Sequence, residues 1–235
     1  MDLTILIPVK NEEMNIENII SKIKNKLDFK YELLFVDDFS IDNTYDKLTK
    51  LKDKENNIKV VKNNKNGLGE SVRNGINHSS GKFIVIMMCD SSDDLDNLVE
   101  YYNIIKNEKL DAVFGSRFHN NSVIENYPKT KYFLNRLFNN FVSLLYLNKY
   151  NDYTNAFKIY KKEALQKLLP IVSESFNVFL ELPLKVINRK LNYKIIPINW
   201  YGRNLGKSKF KIKELRSKYL FTLIYCFAEK ILLLK

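Results

Sequence analysis

The sequence predicts an α/β fold, with a mostly parallel central sheet flanked by helices. Three observations predict it. Residues Phe83 to Met88 form an unbroken apolar run of the kind found in a strand covered on both faces. From residue 3 to residue 61, apolar runs alternate with helical patterns in the order βαβαβ, which is how a parallel sheet is built. Two of the strands run straight into carboxylates, Asp37-Asp38 after Val36 and Asp90 after Cys89. Ligands of open α/β sheets bind outside the carboxyl ends of the strands, so both acidic clusters are expected to face one crevice, with a nucleotide as the typical occupant.

Taken in order, Leu3 to Val9 reads as the first strand. Asn11-Glu12-Glu13 opens a helix with Ile16, Ile19, Ile20, Ile23 and Leu27 on one face. Glu32 to Val36 is the second strand; a helix with Tyr45, Leu48 and Leu51 follows, then a third strand, Ile58 to Val61. Gly67-Leu68-Gly69 precedes a helix from Glu70 to Ser79. The pair could admit backbone N–H groups to a phosphate, with Arg73 reaching a base or phosphate, although a plain turn accounts for it as well and no complete Gly-x-x-x-x-Gly-Lys-Ser/Thr phosphate loop exists in the chain. After Asp90 come Asp93, Asp94 and Asp96, placing four carboxylates within seven residues. Packing does not account for them. A magnesium or manganese ion carrying a diphosphate would, because such ions are held by one or two carboxylates plus substrate phosphates. The first turn of the next helix, where the dipole favours acids, is the other reading for Asp93, Asp94 and Asp96.

Ala112 to Phe114 is a fifth strand, and Arg117 just after it is placed to clamp a phosphate. A segment without strand character leads to a helix rich in Phe and Leu, Lys131 to Tyr150, which packs on the core or near a greasy substrate. Asp152 to Tyr160 returns the chain to the sheet, and Glu163 to Leu169 is a short helix. Glu181 lies in an apolar element, where a lone carboxylate is a site candidate. The strand Tyr193 to Ile198 is followed by a basic loop from Trp200 to Lys209 suited to closing over an anion. The apolar stretch Tyr219 to Leu234 is too short and interrupted for a spanning helix; with Lys211, Lys213, Arg216 and Lys218 before it, it suits a helix on an anionic membrane surface, on a partner, or packed against the domain.

The composition bounds the function. The chain has 235 residues, 45% hydrophobic and 13% aromatic, which is globular and large enough for a sizeable core. A net charge of +11 raises nucleic acid as a partner, but Lys and Asn recur throughout, no recognition motif is present and the predicted clefts are acidic, so no nucleic acid is expected. Two cysteines, Cys89 and Cys226, make neither a disulfide framework nor a zinc site, which points to a reducing, cytoplasmic compartment. No signal peptide precedes the first strand, and the mature chain is expected to start at Met1. His78 and His119 lack ligand spacing, and no Ser-His-Asp arrangement can be assembled.

Six motifs in order, Ile7 to Glu12, Val36 to Ser40 with Asp42-Asn43-Thr44, Asn66 to Gly69, Asp90, Gly115 to Phe118 and Asp152 to Lys158, resemble the signature of family 2 GT-A glycosyltransferases, and among them the dolichol-phosphate mannose synthase and polyprenyl-phosphate sugar transferase group. The resemblance covers roughly residues 3 to 210 and implies a GT-A (Rossmann-like) catalytic domain over 1–210, with a basic and apolar helical extension over 211–235. It implies that Pro8, Val9, Asn11, Glu12, Asp37, Asp38, Gly67 and Arg73 belong to the nucleotide side. Asp90, with Asp93, would hold Mg2+ or Mn2+ on the donor diphosphate. The family carries an Asp-x-Asp pair here and Met88 stands where its first Asp belongs, so Asp38, Asp93 or water is expected to supply a ligand. Arg117, Arg136, Arg203 and Lys209 match basic positions around the acceptor phosphate, and Asp152 an acidic position at the reaction centre.

The implied reaction moves a hexose from a nucleotide-diphosphate sugar, of GDP-mannose or UDP-glucose type, to a polyprenyl or dolichyl phosphate with inversion. Asp90, Asp152 and Arg117 would be its catalytic residues. A saccharide or lipopolysaccharide hydroxyl is the alternative acceptor, which would require Asp152 or Glu181 as a base. A third reading, motivated by Met88, is a pseudoenzyme that binds nucleotide-sugar without turnover. The expected setting is the cytoplasmic face of a membrane, held peripherally, with a membrane protein as a further expected partner.

Overall fold

The computed structural model of the chain describes residues 1–203 and 212–233. A seven-stranded sheet holds β1 (Leu3–Val9), β2 (Tyr31–Asp37), β3 (Ile58–Lys62), β4 (Phe83–Ile86), β5 (Ala112–Ser116), β7 (Lys158–Lys161) and β8 (Tyr193–Pro197) in the order β3-β2-β1-β4-β7-β5-β8. All neighbours are parallel except β7, which runs antiparallel to both β4 and β5. A separate two-stranded ribbon pairs β6 (Ile124–Glu125) with β9 (Trp200–Tyr201). The segment after β5 therefore contains a short strand that its sequence does not signal.

Side-chain alternation along the strands divides the core between the two faces. Leu3, Ile5 and Ile7 of β1 pack with α1 (Ile16–Lys26), α2 (Thr44–Lys52) and α4 (Leu95–Asn107). Leu6 of the same strand packs on the other face with α3 (Leu68–His78), α5 (Lys129–Tyr146), α6 (Lys162–Lys167), α7 (Val178–Asn188) and α8 (Ile212–Leu233). The apolar run is buried from Phe83 to Met87, with Met88 half-buried, and its ladder ends at Ile86; Met87 and Met88 lead from the strand into the turn that delivers Asp90.

α8 packs against α7, with Thr222, Leu223 and Cys226 buried. Asn177 Nδ2 donates to Thr222 Oγ1 at 2.8 Å, Asn188 Nδ2 to the Cys226 carbonyl at 2.7 Å, and Arg189 pairs with Glu229 at 2.6 Å. Its outer face leaves Leu220, Phe221, Ile224 and Leu232 more than half exposed, and neighbouring α5 does the same with Phe133, Leu137, Phe141 and Leu144. Together they form a far larger apolar exposure than scattered surface hydrophobes. None of the helices among the described residues is long and apolar enough to cross a membrane.

Candidate active site

The carboxyl ends of β1, β2 and β4 open onto one crevice, and each is followed by a non-glycine residue in the left-handed region: Asn11 (φ 50°), Phe39 (φ 57°) and Ser91 (φ 58°). Such backbone strain, about 1–3 kcal/mol each, clusters where the chain is held for function. Asn11 and Ser40 strap the first two loops together: the Asn11 N–H donates to Ser40 Oγ at 2.9 Å and the Ile41 N–H to Asn11 Oδ1 at 2.8 Å. Pro8 and Val9 line up beside Val36 and Asp37 in the parallel register. Asp37 is buried, and its Oδ1 has no hydrogen-bond partner among the described residues. A buried carboxylate oxygen left unpaired is aimed at something other than the protein.

Asp38 performs a different task. Its Oδ1 accepts from the Gly67 N–H at 2.7 Å and Asn63 Nδ2 at 2.9 Å, and its Oδ2 pairs with Lys10 at 3.3 Å. It organises the loop before α3 and does not line the cavity at Asp90. Gly67 and Gly69 are required by packing: a Cβ would lie 2.4 Å from the Glu174 carbonyl oxygen at Gly67 (φ +140°) and 2.0 Å from the Ser173 carbonyl oxygen at Gly69. The glycines seat the 171–175 loop, which corrects the phosphate reading. Arg73 is corrected likewise, since its guanidinium pairs with Glu70 and donates to the carbonyls of Ile171 at 2.9 Å and Ser173 at 2.8 Å.

The four acids after β4 divide between the two readings. Asp94 caps α4, accepting from the Asp96 N–H at 2.9 Å, and Asp96 occupies its first turn. Asp90 and Asp93 turn into the site. Asp93 is buried with its Oδ2 3.3 Å from the Met88 N–H; burial pushes its carboxyl up to about 7, and the adjacent Asp90 charge adds to that. Asp90 Oδ1 accepts from the Ser92 N–H and hydroxyl, while Oδ2 faces Arg203 at 3.0 Å. Arg203 also reaches Glu12 at 3.3 Å. Arg203 is thus paired with two acids, Asp90 and Glu12, partners that its match to a basic acceptor position did not include.

Beneath lies a buried charge cluster. Arg117 is held bidentately by Asp152, Nε to Oδ2 at 2.8 Å and Nη2 to Oδ1 at 2.7 Å, and its backbone N–H donates to Asp152 Oδ2 at 2.9 Å. Burial opposes the guanidinium charge, but Asp152 outweighs it and holds Arg117 protonated. Asp152 is completely buried, so it is no free base; it positions Arg117. Glu181, the other candidate base, pairs with Lys185 at 2.8 Å, both fully buried, and accepts from the N–H groups of Val172 and Ser173. It fastens the 171–175 loop to α7. The sequence offers no comparable sign of Lys158, also buried: its ammonium donates to the Tyr153 and Asn155 carbonyls, and burial pulls it down to about 7 against the opposing charge of Asp152.

A cavity of about 650 Å³ starts at this cluster and runs between α5 and α8. Its polar end is formed by Asp90, Asp93, Arg117, Asn135, Thr154 and Arg203, and its far end by Leu134, Phe138, Phe141, Phe179, Leu220 and Leu223. Lys131 at the wall is a cation that sequence reading passed over, because a lysine in a helix start carries no distinguishing signal. Arg136 lies 4.7 Å over the Phe118 ring, with Nη1 buried and without a hydrogen-bond partner among the described residues, and is not among the residues that line the cavity. Lys209 lies outside the described residues. A smaller polar hollow of about 290 Å³ flanks Asp90 on its other side, against Asn18, Lys22 and Tyr201.

No three His, Cys, Asp or Glu side chains converge on a common point among the described residues. The donor set nevertheless fits a hard divalent cation of the kind completed by substrate phosphates, because Asp90 supplies a carboxylate at the mouth and buried Asp93 stands beside it.

The family model described as Glycosyl transferase family 2 matches residues 4–169. The chain is 28% identical over 221 residues to a dolichol-phosphate mannosyltransferase of Pyrococcus furiosus, covering 92% of this chain and 61% of that protein. It is 26% identical over 218 residues to a dolichyl-phosphate beta-glucosyltransferase of Dictyostelium discoideum, covering 84% and 66%. The chain thus spans less than two thirds of the length of these two relatives. Among solved structures, glucosyl-3-phosphoglycerate synthase from Mycobacterium tuberculosis with Mn2+, UDP-glucose and phosphoglyceric acid superposes with a TM-score of 0.69 at 16% identity, covering 97% of this chain and 80% of that one. That likeness is one of fold.

Proposed function

The chain belongs to glycosyl transferase family 2, and from that premise we propose that it transfers a hexose from a nucleotide-diphosphate sugar, of GDP-mannose or UDP-glucose type, to a polyprenyl or dolichyl phosphate. The observation that carries this reading is the cavity: charged where Asp90 and Arg117 meet, apolar along α5 and α8, and continuous with an exposed apolar surface. A lipid phosphate has that same polarity from end to end. The names of the two relatives, which act on dolichyl phosphates, agree with it.

In this reading Asp37, whose Oδ1 has no hydrogen-bond partner among the described residues, and the Pro8–Val9 strand end receive the nucleoside. Asp90, with Asp93 beside it, would hold Mg2+ or Mn2+, which would supply charge neutralisation to the diphosphate. Arg117, fixed by Asp152, steadies the acceptor phosphate, with Lys131 as a flanking cation. An oxygen of that phosphate forms the bond to the anomeric carbon as the bond to the diphosphate oxygen breaks, and the electron pair leaves with the nucleoside diphosphate. No base is needed, because a phosphate monoester with a second pKa near 6 is already mostly a dianion at neutral pH. This agrees with Asp152 and Glu181 both being locked in ion pairs. The extension beyond residue 210 closes the acceptor channel with α8, and the exposed faces of α5 and α8 rest on the cytoplasmic surface of a membrane, where a membrane protein partner would also meet them.

The test uses purified chain, Mg2+ or Mn2+ and labelled GDP- and UDP-sugars, with and without a short polyprenyl phosphate. Label should pass into organic solvent for one donor and not with Asp90→Ala. Nucleotide release with a saccharide acceptor, and none with the lipid, would replace this reading with transfer to a hydroxyl.

A further inference from the structure

Arg203 is seated against Asp90, the carboxylate read as the metal ligand. Its Nε and Nη2 lie 3.2 and 3.0 Å from Asp90 Oδ2, and Nη2 lies 3.3 Å from Glu12 Oε1. The other Asp90 oxygen is taken by the N–H and hydroxyl of Ser92, and Glu12 Oε2 by Asn15 Nδ2 at 2.6 Å. Both oxygens of Asp90 are therefore satisfied inside the protein. The pair is held with little solvent, the side chains of Arg203 and Asp90 being 19% and 15% exposed, so water screens it less than a surface pair. A divalent cation binds a carboxylate oxygen directly, at roughly 2.0–2.1 Å for Mg2+, and needs the lone pairs that the guanidinium holds. It would also meet the positive charge of Arg203 at close range.

We propose that Arg203 is a resident counter-ion of Asp90 that keeps a divalent cation off this carboxylate until the donor's diphosphate draws the guanidinium onto its own oxygens, so that metal and donor bind as a pair. The proposal rests on the reading of Asp90 as the metal carboxylate. Charge balance favours paired entry. Asp90, Glu12 and Arg203 together leave one net negative charge; a doubly charged diphosphate and a divalent cation entering together preserve it, whereas either alone changes the local charge while the site remains partly desolvated. A guanidinium suits this exchange because its fork matches carboxylate and phosphate oxygens alike.

Titration of Mn2+ into the nucleotide-free full chain, with free Mn2+ followed by electron paramagnetic resonance, tests it. Arg203→Gln should bind Mn2+ about tenfold more tightly than wild type, a change equivalent to about 1.4 kcal/mol, and Arg203→Lys should fall between them. Asp90→Asn should lose the binding in either background. An Arg203→Gln chain with native melting that binds Mn2+ no more tightly than wild type, or not at all, overturns the proposal. Mn2+ binding that survives Asp90→Asn, with and without GDP or UDP, would instead overturn the assignment of Asp90.

Discussion

At the scale of single residues, the site depends on ionisable groups that the protein has buried in opposition to one another. Asp152 is the clearest case, because its two oxygens are spent on Arg117. Asp152→Asn should leave the guanidinium charge buried and poorly paired, destabilising the chain by about 3–5 kcal/mol. Under the proposed transfer to a lipid phosphate it should also raise KM for that acceptor with little effect on nucleotide binding, as read by urea melts, by initial rates at varied acceptor and by titration with GDP or UDP. Lys158 gives a pH signature. Unfolded, it takes up a proton below about 10.4, and folded only below about 7. Between those values the unfolded state binds more protons, so stability rises with pH across this window. Lys158→Met should flatten that rise, the gap between variant and wild type changing by about 2–4 kcal/mol between pH 7 and 10. That Asp90, Asp37 and Arg117 stand at strand ends was legible in the sequence, because a charged residue just past an apolar run marks where the run stops. Lys158 closes the sixth motif, but its burial was not legible, since a lysine in a strand does not show whether it is covered until the strand's neighbours are known. Glu181 misled for the same reason: its partner Lys185 is one helical turn away, and only the fold shows both to be completely buried.

At the scale of elements, the 171–175 loop and its glycine seats matter most. Arg73, Glu181, Asn177 and Thr222 all fasten this loop or its flanks, and the Gly69 N–H donates to the Glu174 carbonyl at 3.1 Å. Gly69→Ala should push a Cβ onto the Ser173 carbonyl, costing about 1–3 kcal/mol by overpacking. Its midpoint in urea should drop while the slope stays constant. The first three strands and their helices were readable because each is long, apolar and bounded by polar turns. β6 and β9, two residues each, carry no periodicity, and their pairing is set by chain segments about 75 residues apart, so no local pattern announces them. The helix over α5 was readable as a helix, but not which of its aromatic residues face the cavity and which face solvent.

At the scale of the whole molecule, the cavity and the exposed apolar faces of α5 and α8 form one continuous surface. Phe221 and Ile224 belong to that surface without lining the cavity. Phe221→Asp combined with Ile224→Asp should abolish co-sedimentation with anionic lipid vesicles while leaving GDP or UDP affinity unchanged; retention on vesicles would assign the surface to another partner. The sheet order has a further consequence, for how the chain comes to be folded. β5 touches neither β4 nor any earlier strand; it joins the sheet only through β7 and β8. A nascent chain that has emerged as far as Ser116 contains β3, β2, β1 and β4, neighbours in the finished sheet with an edge at β4, while β5 has no partner until β7, whose first residue lies 42 positions after Ser116. Lys158 to Lys161 is thus the closing piece, and any fragment ending before it presents a bare apolar edge to other chains.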